Sequence, residues 1–587
     1  MKIRRPEPGL LKWYVLTGIA VILFFGAPAL RTGVSSLLVD WTGETVLKNQ
    51  VVAVISSLGS RPVQTADMEV IDYAGVIPYG ANTSFQQEVD EWKLRRSMEM
   101  LRDAGIRWVR QQMPWSDIEI PAKGQYKDGY GHNTWEKYDR FIDLCQEYGL
   151  NILARLDDPP NWSRKDNTVH NRPPDNLADY GDFVYAFVSR YKGKIKYYQI
   201  WNEPNAYPEW GNQPVDARAY TELLKVAYRR AKEADPEAVI VAAGLAPTLG
   251  APEGRAESDL VFLQKMYDAG AKDYFDVMSV MGYGLWTGPG DRRLSEDRTN
   301  FSRPQLIREI MVRNGDANKA VWMSEVGWNA LPKYFPEQPA YGRVTDDQQA
   351  TYTVKAYERA QNEWPWMGVM FFWKFRPVFD EDRDQQDFYF RMVDPDFTTH
   401  PVYDAYRRMA TAPPVVYRGN HAADHWALSY AGSWQEERDA SNRDIYQISR
   451  HAGDRLSFTF EGSELTLRAR QADNGGILYV AIDGSSRDAN ALPEDAQGRA
   501  YVDLRNAGEA DWVSIPVAKA LGNGRHHVEM WTGDAGDVAL SGVIVDHSSA
   551  YLSRLALVLI LGAGLLVTAA VMIRSGITSR PWWKPPR

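Results

Sequence analysis

Short apolar runs alternate with amphipathic helical stretches through the middle of the chain, from residue 70 to residue 410. The runs with strand length and composition cover residues 70–79, 106–113, 150–156, 195–201, 238–244, 275–281, 320–324 and 367–373. Eight strands that alternate with helices predict a parallel α/β fold. Polar clusters follow nearly every strand, and the first strand lacks the glycine-rich loop of a doubly wound nucleotide-binding sheet. Both observations favour a closed (β/α)8 TIM barrel for residues 70–410.

Two of these predicted strands end in a glutamate. In KIKYYQIWNEPN, Glu203 follows an apolar run, and Pro204 must end that strand because proline cannot donate to a sheet ladder. In AVWMSEVGWN, Glu325 ends a second apolar run. A glutamate beside proline is also common in a solvated turn, so Glu203 alone does not decide between structure and function. Two glutamates at two strand ends, however, match the proton donor and the nucleophile of a retaining glycosidase.

The combination of WNEPN with a later run that ends in SEVGW resembles glycoside hydrolase clan A, most of all the family 39 and family 5 type. The resemblance covers residues 70–410. It implies a retaining β-glycosidase in which Glu203, after the fourth strand, is the acid/base. It also implies that Glu325, at the end of the seventh strand, is the nucleophile.

The resemblance further implies a set of substrate-binding residues around this pair. Asn202 is expected to hydrogen-bond the 2-hydroxyl of the sugar. Arg110, near the end of the second strand, and Tyr283, after the sixth, are expected to hydrogen-bond the nucleophile carboxylate. Trp373, at the end of the eighth strand, is expected to form an aromatic floor beneath the sugar.

The third predicted strand departs from the pattern of the clan. It ends in Asp157 and Asp158, where clan members frequently carry a histidine. One aspartate can bind a sugar hydroxyl while the other caps a helix, and the residues alone leave open which does which. We take Asp157 as the predicted sugar contact.

The pattern changes after residue 410. Residues 411–415 form a predicted linker, since they contain the turn sequence TAPP. Residues 416–548 contain short alternating runs separated by glycine, asparagine and aspartate, which predicts an antiparallel β-sandwich. Runs such as GILYVAIDG resemble galactose-binding-like jelly rolls, which implies either a glycan-binding module or a spacer.

Apolar segments flank these domains. Residues 13–30 are uncharged and just long enough for a membrane span, although Ala27-Pro28-Ala29 also suits a cleavable signal peptide. We favour an uncleaved anchor because the apolar run is long for a signal core. Residues 552–573 form a second predicted transmembrane helix, followed by a basic tail at 574–587. The positive-inside rule then places residues 1–12 and the tail in the cytoplasm and both domains outside the cytoplasm.

Composition narrows the classes of partner. The net charge is −9 and no basic cluster dominates the interior of the chain, which argues against nucleic acid. The 21 tryptophans and 31 tyrosines suit sugar binding, because pyranose C–H faces pack on aromatic rings. The single cysteine, Cys145, cannot form an intramolecular disulfide and is predicted to be a buried core residue. Residues 31–69 carry no functional signal and form a predicted connector.

The sequence therefore predicts an integral membrane protein whose extracytoplasmic domain is a retaining glycoside hydrolase acting on a cell-surface or exported polysaccharide. A transglycosylase with the same two glutamates is an alternative, because a sugar hydroxyl can replace water in the second step. A non-catalytic glycan-binding assembly factor is the other alternative. No metal site and no cofactor are expected, and the oligomeric state is not predicted.

Overall fold

The computed structural model describes residues 38–39, 42–44, 46–58, 61–438, 445–508, 510–522, 524–533 and 536–547. The predicted membrane segments at 13–30 and 552–573, with the tails at 1–12 and 574–587, lie outside these ranges. Within the described ranges, no helix has both the length and the apolar character that crossing a membrane requires. Helix α1 (Leu47–Leu58) lies in the predicted connector.

Eight parallel strands form a barrel surrounded by helices, which confirms the predicted (β/α)8 architecture. The strands are β1 (Tyr79–Thr83), β2 (Trp108–Pro114), β3 (Asn151–Asp157), β4 (Tyr197–Ile200), β5 (Val239–Ala242), β6 (Met278–Met281), β7 (Val321–Val326) and β8 (Met367–Phe372). The helices between and after them are α2 (Glu91–Asp103), α3 (Trp115–Ile118), α4 (Trp135–Glu147), α5 (Leu177–Tyr191), α6 (Ala217–Ala234), α7 (Asp259–Asp268), α8 (Pro304–Arg313), α9 (Asp346–Glu363) and α10 (Pro401–Ala410). The strands pair in the order β5-β4-β3-β2-β1-β8-β7-β6. Single parallel bridges from Val241 to Val277 and from Leu245 to Val280 bring the β5 and β6 edges together and nearly close the ring.

The first strand lies later in the chain than the sequence predicted. Strand β1 begins at Tyr79, whereas the apolar run at 70–79 contains turns and single bridges, with Tyr73 at a φ of 60°. This segment crosses the amino-terminal end of the barrel, where the Tyr73 carbonyl accepts a hydrogen bond from Trp322 Nε1 at 2.9 Å. Its apolar side chains therefore pack, mostly half-buried, against the barrel core and not within the sheet, which is why their pattern gave a wrong strand assignment.

The barrel interior changes from aromatic to polar along its axis. Near the amino ends of the strands, Trp108, Tyr197 and Trp322 pack with ring centroids 4.9 to 5.2 Å apart. Two residues further along their strands lie Arg110 and Gln199, on the same faces because alternate strand residues point the same way. Polar groups are thus gathered towards the carboxyl ends of the strands, where barrel active sites lie.

Two antiparallel sheets follow α10, as the alternating pattern predicted. Their strands are β9 (Gly419–Ala422), β10 (Ser429–Ala431), β11 (Gln435–Arg438), β12 (Ile445–Ser449), β13 (Arg455–Gly462), β14 (Glu464–Gln471), β15 (Ile477–Ile482), β16 (Ala500–Asp503), β17 (Asp511–Ala518), β18 (Gly524–Thr532) and β19 (Val538–Asp546). One sheet has the order β10-β13-β18-β15-β16 and the other β11-β12-β19-β14-β17, with β9 paired to β19. Their buried apolar residues form a second core. Trp426 packs against Tyr79 at the start of β1, with ring centroids 6.0 Å apart, so this domain contacts the barrel end opposite the two glutamates.

Candidate active site

Glu325 lies near the carboxyl end of β7 and is only 5 % exposed. Arg110 Nη1 donates a hydrogen bond to Glu325 Oε1 at 2.8 Å, and the Tyr283 hydroxyl donates to Glu325 Oε2. A guanidinium and a hydroxyl donor, one on each oxygen, stabilise the negative charge of a carboxylate. Glu325 is therefore held in one orientation, in surroundings that suit an anion.

Arg110 is itself fixed by three amide side chains. Its Nη1 also donates to Asn82 Oδ1 at 2.8 Å, its Nη2 to Asn202 Oδ1 at 2.6 Å and its Nε to Gln199 Oε1 at 2.8 Å. The side chain is almost fully buried, and a buried charge needs such partners because leaving it unpaired is costly. Since the partners come from β1, β4 and the turn after β4, the barrel itself sets the position of the guanidinium that holds Glu325.

Two members of this network, Asn82 and Gln199, were missed by the sequence analysis. Asn82 lies in β1 (Tyr79–Thr83), but the first strand was predicted at 70–79, so Asn82 fell outside the predicted strand. Gln199 is a buried amide between the apolar residues of β4, and that polar position in a buried strand was the available signal. Gln199 Nε2 donates to the Trp201 carbonyl at 2.9 Å, which fixes the orientation of its amide.

Glu203, just after β4, has different surroundings. Its backbone has a φ of 39°, an uncommon conformation for a residue other than glycine and one that concentrates at functional sites. Its N–H donates to the Gly244 carbonyl at 3.0 Å, which anchors the turn. Burial, followed by the negative charge of Glu325, raises the pKa of Glu203 well above its usual range. Glu203 therefore keeps its proton to higher pH than an ordinary glutamate.

A third carboxyl group, Glu209 in the loop after β4, lies beside this pair and was not predicted. It accepts hydrogen bonds from Asn171 Nδ2 at 3.0 Å and from the Asn202 side chain. Burial raises the pKa of Glu209 to about 7, although the nearby Arg155 guanidinium lowers it. The sequence offered no motif for this residue beyond an acidic position in the loop that follows Glu203.

Asp157 ends β3, as predicted, and both of its carboxylate oxygens are engaged. Oδ1 accepts a hydrogen bond from Gln112 Nε2 at 3.0 Å, and Oδ2 lies 2.8 Å from Arg155 Nε. Burial lowers the pKa of Arg155, but Asp157, Glu209 and the two glutamates outweigh burial and raise it. The sugar contact predicted at Asp157 remains a prediction, and the structure adds Arg155 to the charged groups of the site.

Aromatic side chains lie on the β6 to β8 side of the site. Trp373 directly follows β8 and is partly exposed, as a floor beneath a ligand requires. The Tyr283 ring packs on Phe390 with centroids 5.5 Å apart, and Phe390 packs on Tyr341 at 6.0 Å. Burial and then neighbouring carboxylates, both glutamates among them, raise the pKa of Tyr341. Tyr341 is therefore a further aromatic group near the two glutamates, which the sequence analysis did not identify.

The arrangement can support acid and nucleophilic chemistry on one substrate. One carboxyl group is surrounded by donors that favour its anion, and the other keeps a proton because it is buried near that anion. Over the described ranges, no group of three or more histidine, cysteine, aspartate or glutamate side chains is arranged to hold a metal ion.

Comparison with curated proteins gives one short match. No protein-family model matches the chain. A 6-phospho-beta-glucosidase of Clostridium longisporum is 29% identical over 117 residues, which are 19% of this chain. The match spans only 24% of the length of that protein.

Solved structures give longer but more distant matches. A family 39 glycoside hydrolase from the gut symbiont Bacteroides cellulosilyticus WH2 is 17% identical, with 79% of this chain and 82% of that chain covered and a TM-score of 0.42. A monomeric beta-xylosidase from Caulobacter crescentus CB15 is 14% identical, with coverages of 81% and 99% and a TM-score of 0.41. A glucosidase from Croceicoccus marinus is also 14% identical, with coverages of 80% and 98% and a TM-score of 0.43. The proteins that this chain is similar to are thus glycoside hydrolases, with family 39 among them.

Proposed function

We propose that this protein is a retaining glycoside hydrolase in which Glu325 is the nucleophile and Glu203 the acid/base. The observation that carries the proposal is the contrast between the two glutamates. Arg110 and Tyr283 donate to the two oxygens of Glu325, whereas burial and the charge of Glu325 raise the pKa of Glu203. A carboxylate held by two donors beside a carboxyl group of raised pKa supports one nucleophile and one acid.

In the first step, a carboxylate oxygen of Glu325 attacks the anomeric carbon of the bound sugar. The bond to the glycosidic oxygen breaks, and Glu203 gives its proton to that oxygen, so the leaving group departs as a neutral alcohol. The enzyme then holds the sugar as an ester of Glu325, and Glu203 is ionised.

In the second step, Glu203 takes a proton from a water molecule while the water oxygen attacks the anomeric carbon. The ester bond breaks, which restores the Glu325 carboxylate and the protonated Glu203. Two inversions at the same carbon give a product with the configuration of the substrate. A sugar hydroxyl in place of water would give transglycosylation by the same residues.

Asn202 is suited to bind the sugar 2-hydroxyl. Its Oδ1 accepts from Arg110, and its amide group donates to Glu209, which fixes the orientation of the amide. An asparagine amide carries two N–H donors, so one remains for a substrate oxygen. Trp373, just after β8, supports the proposal as the aromatic surface for the sugar face.

We extend the proposal to an enzyme anchored in the cell membrane, with both termini cytoplasmic and with a cell-surface or exported polysaccharide as substrate. The uncharged segments at 13–30 and 555–573 and the basic tail at 574–587 support this topology. An anchored catalytic domain outside the cytoplasm would meet polymers at the cell surface.

A reporter fused after Arg587 tests the topology. We expect the reporter to resist protease added to intact cells and to become sensitive once the membrane is opened, because the basic tail stays inside. A second reporter placed in the linker at 411–415 is the matched control and should be cleaved from outside. Cleavage of the first reporter in intact cells would show that the topology is wrong.

Hydrolysis of aryl β-glycosides by the full-length protein in detergent tests the proposed activity. We expect release of the aryl alcohol from at least one glycoside of a panel that varies the sugar, with a β-configured sugar as first product in proton NMR. An added sugar acceptor separates hydrolysis from transfer, since transfer gives an oligosaccharide. A folded protein that releases no aryl alcohol from any substrate, and cleaves no polysaccharide, would contradict the proposal.

A further inference from the structure

We propose that Arg155 and Glu209 determine substrate specificity by binding two adjacent hydroxyls of an uncharged sugar, at positions 3 and 4, in the subsite next to Glu203. The inference rests on the proposed glycosidase function and specifies how that site recognises its sugar. Neither residue belongs to the motifs that identified the two glutamates.

Residues of β2 and β3 fix the position of the Arg155 side chain. Arg155 lies on β3 opposite Gln199 of β4, which holds the other arginine of the site. Its Nε is 2.8 Å from Asp157 Oδ2, and Asp157 is fixed in turn by Gln112. Asp157 therefore acts as a positioning residue that aims the guanidinium, since its two oxygens are already engaged.

The two arginines of the site differ in how many of their donors are used. Arg110 donates from Nε, Nη1 and Nη2 to protein acceptors. For Arg155, no described residue accepts a hydrogen bond from either Nη group, although the side chain is only 15% exposed. The Nη groups are not fully buried, unlike Nε, so they open to a space where a ligand oxygen can accept hydrogen bonds from them. The free Nη groups of Arg155 thus indicate a binding position for oxygen atoms.

Glu209 supplies the complementary acceptor. Its charge acts on Arg155, and the charge of Arg155 acts on it, so the two groups lie in one charged cluster. A guanidinium only donates hydrogen bonds and a carboxylate only accepts them, while a hydroxyl does both. A pair of adjacent hydroxyls can accept from Arg155 and donate to Glu209 at the same time. Position 2 is assigned to Asn202, which leaves positions 3 and 4.

The charges of the site exclude other sugar classes. Glu325, Glu209 and Asp157 lie among the guanidinium groups of Arg110 and Arg155, while Glu203 carries its proton. The carboxylate of an acidic sugar would lie against the Glu209 carboxylate, and such a contact between like charges is unfavourable. An ammonium group offers no acceptor for the free donors of Arg155. The uncharged hydroxyls of a neutral sugar match both partners.

Substrate analogues that lack one hydroxyl test the inference on the full-length protein. The probe is the aryl β-glycoside that the wild type hydrolyses best, compared with its 2-, 3- and 4-deoxy forms. Loss of a hydroxyl bound by a charged group should lower the wild-type kcat/KM roughly ten- to a hundredfold. In Arg155→Met, kcat/KM for the parent should fall by a similar factor, and the discrimination against the 3- and 4-deoxy forms should shrink roughly fivefold or more, because Glu209 alone still binds those hydroxyls. Discrimination against the 2-deoxy form should persist, because Asn202 is unchanged.

Arg308 provides the matched control, because it is a buried arginine of α8 outside the site whose Nε donates to the Thr65 carbonyl at 2.9 Å. Per folded molecule, Arg308→Met should keep both the parent rate and the discrimination of the wild type. If Arg155→Met does not fold, Arg155→Lys replaces it, since it keeps the charge but loses the two Nη groups. Full 3- and 4-hydroxyl discrimination in Arg155→Lys would overturn the inference.

Other outcomes separate this inference from the proposed function. Equal loss on the parent and on all deoxy forms in Arg155→Met would reduce Arg155 to a structural residue and overturn the inference alone. Wild-type hydrolysis without discrimination at positions 3 and 4 would do the same. A folded wild type that turns over no glycoside would overturn both.

Discussion

Replacing Glu325 by alanine should lower kcat roughly 10⁴-fold or more, because no other group can form the covalent intermediate. Azide should restore part of the activity, since a small anion fits the space left by the carboxylate and attacks the anomeric carbon from the same side. The product should then be a glycosyl azide of inverted configuration. Arg110 and Tyr283, which donate to the carboxylate in the wild type, would face the bound azide. Kinetics and NMR of the azide product measure both effects.

Glu363→Ala is the matched control for this variant. Glu363 is also a glutamate paired with an arginine, Arg292, at 2.6 Å, but it ends α9 outside the site. It should keep wild-type activity per folded molecule. Substantial azide-independent turnover by Glu325→Ala, or a retained azide product, would contradict the nucleophile assignment.

Replacing Glu203 by alanine should have an effect that depends on the leaving group. Aryl glycosides with strongly acidic phenols need no proton, so their first step should change less than about tenfold, whereas poor leaving groups should lose about 10²- to 10⁴-fold. Azide should accelerate turnover of the good substrates and give a product of retained configuration, because it intercepts the glycosyl-enzyme without needing a base. Rapid-quench kinetics with a phenol series measures the first step.

The same variant has a pH signature. Burial and the charge of Glu325 raise the pKa of Glu203, so the wild type should lose kcat/KM on poor leaving groups as pH rises through that raised pKa. With Glu203→Ala this alkaline limb should disappear. Equal losses on good and poor leaving groups, with the alkaline limb intact, would show that another group donates the proton.

The site residues that the sequence could predict are those that follow apolar, strand-like runs. Glu203 and Glu325 follow apolar strands within short motifs, and Arg110 lies near a strand end in the same way. The polar positions of Asn82 and Gln199 were visible in the sequence, but their role was not, because they contact Arg110 only when the barrel brings β1 and β4 beside it. Such contacts join positions far apart in the chain, and no spacing in the sequence encodes them.

The misplaced first strand shows a second physical limit. The run at 70–79 is apolar because it lies beneath the barrel, and an apolar run of that length does not distinguish a buried connection from a buried strand. The antiparallel sheets were easier to predict, since residues of β13 alternate between buried and partly exposed along the strand, which is the pattern of a half-buried strand. Their strand order depends on pairing between distant segments and could not be predicted from that alternation.

For Asp157 in the third strand, the sequence predicted the position correctly but not the contacts of the side chain. Asp157 does lie at the end of β3, but the sequence could not show that Gln112 and Arg155 already engage its two oxygens. Arg155 was passed over because a charged residue inside an apolar run gives no indication of what it faces. Arg155, whose Nη groups remain available to a ligand, therefore lies two residues before Asp157, which the sequence favoured as the sugar contact.

Trapping of the covalent intermediate tests the central claim most directly. A 2-deoxy-2-fluoro β-glycoside of the preferred sugar, with a very good leaving group, should slow the second step more than the first and leave the sugar on the enzyme. Mass spectrometry of the digested protein should then find the fluorosugar on Glu325, and the protein should regain activity as the ester hydrolyses. A fluorosugar on Glu203, or turnover of the parent glycoside with inverted configuration and no adduct, would contradict the account.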